Sequence, residues 1–230
     1  MKRRDFTLSS LGASISAVAA PVWAQAPATA QAPAPKPVAG PPIKLTEGKD
    51  YNRLEKPQSS EVGAGKIEVI EFFWYSCPHC NAFEPTFANW VKNVSKDVVV
   101  RRIPVAFNDS FAPQQRLFFT LEALNLLDSL HAKVFQAVHV DKQPLNTEAG
   151  IQAWAEKQGV DKTKFAETYK SFGMASKLRR AVQLQNDFKV EGVPALGIAG
   201  RFYTDGSLAG SMERALQVTE ALLAQVRQGK

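Results

Sequence analysis

The chain reads as an α/β protein whose sheet is interrupted by an all-helical block. An apolar run, Ile67 to Trp74, leads directly into a segment of helical periodicity and then into a Val/Ile-rich run, the order of a β-α-β unit. From about Ala112 to Phe188 the apolar residues keep a helical period throughout. Strand character returns only after Gly192, so the strands on either side of the helical block are expected to share one sheet.

A short strand, Tyr51 to Leu54, comes first. The strong strand Ile67 to Trp74 follows, then a helix from Pro78 to about Val94 on the spacing of Phe83, Phe87, Trp90, Val91 and Val94. Val98 to Phe107 supplies the next strand, and a right-handed crossover makes it parallel to the first of the unit. Leu117, Leu121, Leu124 and Leu127 mark one helical face, and Val134, Phe135 and Val138 another. Thr147-Glu148 opens a helix through Trp154 that stops at Gly159. Asp161 caps the next, carrying Phe165, Tyr169 and Phe172, and a last one spans about Ala175 to Asp187. Pro194 to Ala199 reads as a strand, Gly200-Arg201 as a turn, Phe202-Tyr203 as its partner and Met212 to Gln228 as the final helix.

The first residues read as targeting rather than fold. Met1-Lys2-Arg3-Arg4 is a positive n-region, Leu8 to Ala20 an apolar h-region, and Val22-Trp23-Ala24 a cleavage site, so residues 1–24 are expected to be a signal peptide. Arg3-Arg4-Asp5-Phe6 also resembles a twin-arginine signal, which leaves two export routes open. Residues 25–44 form an Ala/Pro-rich spacer with no apolar face to bury. Cleavage removes three of 28 basic and one of 22 acidic residues, leaving +4, too mild and scattered for nucleic acid. No internal stretch approaches the roughly 20 apolar residues a spanning helix needs.

Cys77-Pro78-His79-Cys80 holds both cysteines of the chain, at a strand-to-helix junction. A disulfide across so short a loop braces little, so the pair is there to react. Structural zinc would need four ligands, and no second cysteine pair exists. The first sulfur is expected at a helix N-terminus, where free N–H groups and the dipole favour a thiolate. Cys80 falls one helical turn inward, shielded from solvent. Pro78 suits the first turn, where its missing N–H costs nothing. His79 can add positive charge or a hydrogen bond near the Cys77 sulfur. Glu71 interrupts an apolar strand and needs a partner if that strand is central. His131 and His139 read as solvated helix surface. Trp74, Phe111 and Trp154 read either as a peptide groove or as core.

Phe72 to Cys80, Glu71 and Gly192-Val193-Pro194-Ala195 together resemble the DsbA family of bacterial thiol:disulfide oxidoreductases, from about Leu45 to the C-terminus. The resemblance implies a thioredoxin-like fold with an inserted helical domain: residues 45–107 and 189–230 as the two parts of the thioredoxin-like domain, and 108–188 as the insertion. It implies a periplasmic dithiol oxidase, a monomer without metal or cofactor. Its disulfide passes to reduced, unfolded exported proteins and is re-formed by a DsbB-type membrane quinone reductase. In such a protein Cys77 is the attacking sulfur, Cys80 resolves, and Glu71 governs protons around the buried sulfur. A cis Val193-Pro194 bond presents the Val193 backbone to substrate. The family often pairs the acid with a lysine on the next strand; here the candidates are Arg101 and Arg102. A disulfide isomerase or reductase on the same fold, and a non-enzymatic chaperone, are the competing readings.

Overall fold

The structure is a computed structural model that describes residues 43–229; the expected signal peptide and most of the expected spacer lie outside the described residues. In chain order the elements are β1 (Asn52–Arg53), β2 (Ile67–Phe73), α1 (Pro78–Asn93) and β3 (Val98–Pro104), then α2 (Ala112–Ala123), α3 (Leu127–His139), α4 (Glu148–Lys157), α5 (Lys162–Lys170) and α6 (Phe172–Asp187). β4 (Ala195–Ile198), β5 (Phe202–Asp205), α7 (Gly206–Ala209) and α8 (Met212–Arg227) complete the chain. No helix among the described residues is long and apolar enough to cross a membrane.

The sheet order is β1-β5-β4-β2-β3. β2 and β3 run parallel, as a strand–helix–strand crossover requires, and β4 pairs antiparallel to β2. The strands before and after the helices thus share one sheet, with β2 in the middle and buried from Glu68 to Phe73. One core packs Val69, Leu196 and Ile198 with Phe83 and Phe87 of α1 and Leu222 of α8. The other packs Ile70 and Phe72 with Phe118, Phe135, Trp154, Phe165 and Phe188 of the helical block. Ala199 and Gly200 turn β4 into β5 at φ 54° and 64°, and Arg201 N–H closes the turn on Ile198 C=O at 2.9 Å.

Two boundaries differ from the sequence reading. The strand after α1 stops at Pro104 instead of reaching Phe107, because the Ala106 N–H leaves the sheet to bond Gln185 Oε1 at 2.9 Å. Phe172 does not lie on the helix capped by Asp161. Ser171 is extended, ends that helix and caps the next, accepting from Met174 N at 3.3 Å. Phe172 then falls in the first turn of α6 and stands 89% exposed.

Candidate active site

The β2-to-α1 turn delivers the two cysteines. Cys77 is the N-cap of α1 and makes no side-chain capping bond; Pro78 opens the helix. Both sulfurs are free thiols. Cys80 is 1% exposed and Cys77 only 7%, so Cys77 is more enclosed than its place at a helix end suggests. What encloses it includes the loop before β4: the Cys77 thiol donates to Val193 C=O at 3.4 Å. The Val193-Pro194 bond is cis, as expected.

The two thiols ionise very differently. The Cys77 thiol is lowered to about 5, first by a hydrogen bond from Cys80, against the cost of burial, and then by backbone N–H groups of Cys80 and His79. The charge of His79 helps least. His79 itself stands exposed, and its influence on the sulfur is the weaker part of what the sequence suggested. Burial pushes the Cys80 thiol far up, and the neighbouring Cys77 and Glu71 add to it.

Glu71 is 1% exposed, and the register resolves its partner. Glu71 and Arg102 are opposed across β2 and β3, with Oε2 2.7 Å from the guanidinium NH1. Arg101 points its charge elsewhere, to Glu68 at 2.6 Å and Glu61 at 2.9 Å. Burial raises the Glu71 carboxyl to about 7 against the pull of Arg102.

Arg102 is shared. Glu84 of α1 takes it in a fork, at 2.5 Å and 3.0 Å. His131 of α3 places Nε2 2.9 Å from the same NH1 and Nδ1 2.8 Å from the Tyr75 hydroxyl. His131 is therefore a buried member of this cluster and not solvated surface. Its sequence signal was present, since Val134 and Phe135 follow at i+3 and i+4 on the buried face of α3. Glu84 was legible in the same way, four residues after Cys80 and three before the buried Phe87.

The helical block also holds the turn itself. Gln114 of α2 donates to Ser76 Oγ at 2.7 Å and accepts from Ser76 N–H at 3.1 Å. His139 of α3 is half-buried, with Nε2 donating to Tyr75 C=O at 2.7 Å, so it too is no solvated residue. Of the three aromatics weighed for a groove, Trp154 is core. Trp74 and Phe111 are half-buried and pack with tilted rings, centres 4.1 Å apart, and the exposed Phe107 extends the patch.

An easily ionised sulfur beside a reluctant one, carried at a helix start next to the central strand of this sheet, defines a thiol:disulfide oxidoreductase of the thioredoxin fold. The chain belongs to the DsbA-like family: the model described as "DSBA-like thioredoxin domain" matches residues 68–217. It is 37% identical over 189 residues to the thiol:disulfide interchange protein DsbA of Burkholderia cepacia, covering 82% of this chain and 89% of that one. Its identity to DsbA of Pseudomonas aeruginosa PAO1 is 36% over 182 residues, 79% and 86% of the two chains. The crystal structure of Pseudomonas aeruginosa DsbA superposes with a TM-score of 0.77 at 35% identity, covering 80% of this chain and 96% of that one.

Proposed function

We propose that this protein is a periplasmic oxidant that donates a Cys77–Cys80 disulfide to newly exported, reduced proteins. The observation that carries the direction is the unequal pair of thiols. A thiol lowered to about 5 stabilises the dithiol form, and a stable dithiol makes its disulfide oxidising; DsbA is the standard illustration of this effect in protein chemistry.

A substrate thiolate attacks Cys77 Sγ, the Cys77–Cys80 bond breaks, and Cys80 leaves with the electron pair. The raised affinity of the Cys80 sulfur for a proton makes it take one up, and Glu71, neutral below about 7, is the acid placed to supply it. A second substrate thiolate attacks the substrate sulfur of the mixed disulfide and releases Cys77 as a thiolate, a good leaving group because its thiol is acidic. Pro78 keeps the helix start open at Cys77, and His79 adds a small positive field. The Val193 backbone beside Cys77 is where an extended substrate pairs, with Pro194 fixing the loop. A DsbB-type membrane quinone reductase re-forms the disulfide; family membership supports that partner.

The test is equilibration of the purified protein with a glutathione redox buffer, alongside a Cys80→Ser variant offered an unfolded protein that carries a disulfide, which the Cys77 thiolate opens with loss of the other substrate sulfur as a thiolate. The expected result is a readily reduced disulfide and a mixed disulfide trapped on Cys77. A disulfide as resistant to glutathione as a structural one makes the protein a reductase or isomerase. No adduct on Cys77 removes it from the nucleophile's role.

A further inference from the structure

We propose that His131 balances the protons of the exchange reaction: it takes up a proton from the cleft between α1, β3 and α3 when Glu71 surrenders its own to Cys80. This rests on Cys80 being the leaving group, as read above.

The hydrogen count starts the argument. NH1 of Arg102 carries two hydrogens and stands within 2.9 Å of three acceptors: Glu71 Oε2, Glu84 Oε2 and His131 Nε2. One acceptor is short whenever all three need a hydrogen. While Glu71 is a neutral acid it needs no share, and the two hydrogens serve Glu84 and a neutral His131. Once Glu71 is a carboxylate, three acceptors compete. A proton on His131 resolves the competition. Nε2 then donates instead of accepting, and Glu84 Oε2, now 3.6 Å away, is the carboxylate within ion-pair reach. Both hydrogens of NH1 are freed for Glu71 and Glu84.

The charge count agrees. Glu71, Glu84 and Arg102, all ionised, leave one uncompensated negative charge in a buried cluster, which is costly. A single added proton, on Glu71 or on His131, makes the cluster neutral. At rest it belongs on Glu71: burial raises Glu71, while burial and the charge of Arg102 lower His131.

The surroundings of His131 suit a ring that changes state. Nδ1 faces the Tyr75 hydroxyl after β2, which accepts from it in either state. α1 presents Glu84 and β3 presents Arg102. α2 lays Phe118 against the ring and brings Glu122 to the cleft, and α6 brings Lys177 and Arg180. On α3 itself, Asp128 lies one turn earlier and also lines the cleft. The cleft holds about 940 Å³; His131, Glu84 and Arg102 line it, whereas Glu71, Cys77, Cys80, Val193 and Pro194 do not. Protons thus reach His131 by a route separate from the substrate surface.

The step balances. Cys80 thiolate plus the Glu71 acid gives Cys80 thiol and carboxylate; His131 plus a hydronium ion in the cleft gives imidazolium and water. No electrons move beyond those of the disulfide.

The experiment follows the ring nitrogens of His131 and the carboxyl carbon of Glu71 by NMR in the mature protein as pH is varied, in both redox forms. His131 is expected to gain a proton as Glu71 loses its own on reduction. A His131 ring that stays neutral while Glu71 ionises overturns the proposal. The second arm is His131→Gln, which can still accept from Arg102 and donate to Tyr75 but cannot titrate. Its disulfide transfer to a dithiol peptide should slow by about tenfold above neutral pH, the equivalent of one pKa unit, with Cys77 alkylation unchanged. A folded variant with the wild-type pH profile also overturns the proposal. If the wild-type protein transfers no disulfide, the oxidant reading fails, while the NMR coupling still decides the role of His131.

Discussion

At the scale of single residues, what matters is which neighbour stabilises the Cys77 thiolate. The hydrogen bond from Cys80 contributes most and the charge of His79 least. Cys80→Ala should therefore raise the Cys77 thiol further than His79→Ala does, as read from thiolate ultraviolet absorbance against pH. The opposite order would restore His79 to the leading role its position suggested. The sign of the linkage follows. The folded thiol lies near 5, below its ordinary 9.0, so its contribution to the stability of the reduced protein is complete above that ordinary value and is lost as pH falls through 5. The oxidised protein has no such group, so the difference in unfolding midpoint between the two forms should change in favour of the oxidised form as the solution is acidified.

At the scale of elements, the helical block fixes the turn from β2 to α1 as much as the sheet does. Gln114 binds Ser76 through both its amide oxygen and nitrogen, and Ser76 immediately precedes Cys77. Gln114→Leu removes both partners from Ser76, a loss worth about 1–3 kcal/mol where the site stays closed to water. Denaturant unfolding of the reduced protein should show it, together with a shifted Cys77 titration because the N–H groups aimed at the sulfur lose their fixed direction. An unchanged titration in a destabilised variant would mean that α2 braces the fold without aiming the sulfur.

At the scale of the whole molecule, the cluster of Glu71, Glu84, Arg102, His131 and Tyr75 ties β2, β3, α1 and α3 together, and it makes stability depend on pH. Glu71 is raised from 4.5 to about 7 on folding, chiefly by burial. A raised acid favours the folded state fully below 4.5 and loses that contribution as pH rises through 7. Between those limits Glu71→Gln should have a flatter stability–pH curve than wild type, by at most about 1.4 kcal/mol per pH unit. Parallel curves would show that Glu71 is ionised throughout. Arg102→Met, by contrast, strands two buried carboxylates and should cost about 3–5 kcal/mol.

The sequence by itself determined the β-α-β unit, the helical interruption, the return to the same sheet and the reactive cysteine pair, because each is written in local signals: a period of 2 or 3.6, a proline at a helix start, two cysteines one turn apart. The spacing of Glu84 and His131 even carried their burial, though polar side chains at apolar spacing were not read that way. What only the tertiary structure decided was pairing. Arg101 and Arg102 are adjacent and chemically identical, and the strand register sets Arg102 opposite Glu71 and Arg101 opposite Ile70, on the face that also carries Glu68. His131 meets Arg102 across 29 residues, and Gln114 meets Ser76 across 38. Those distances along the chain carry no period, and the contacts exist because the helical block folds back onto the end of β2, where burial makes each polar group find a partner.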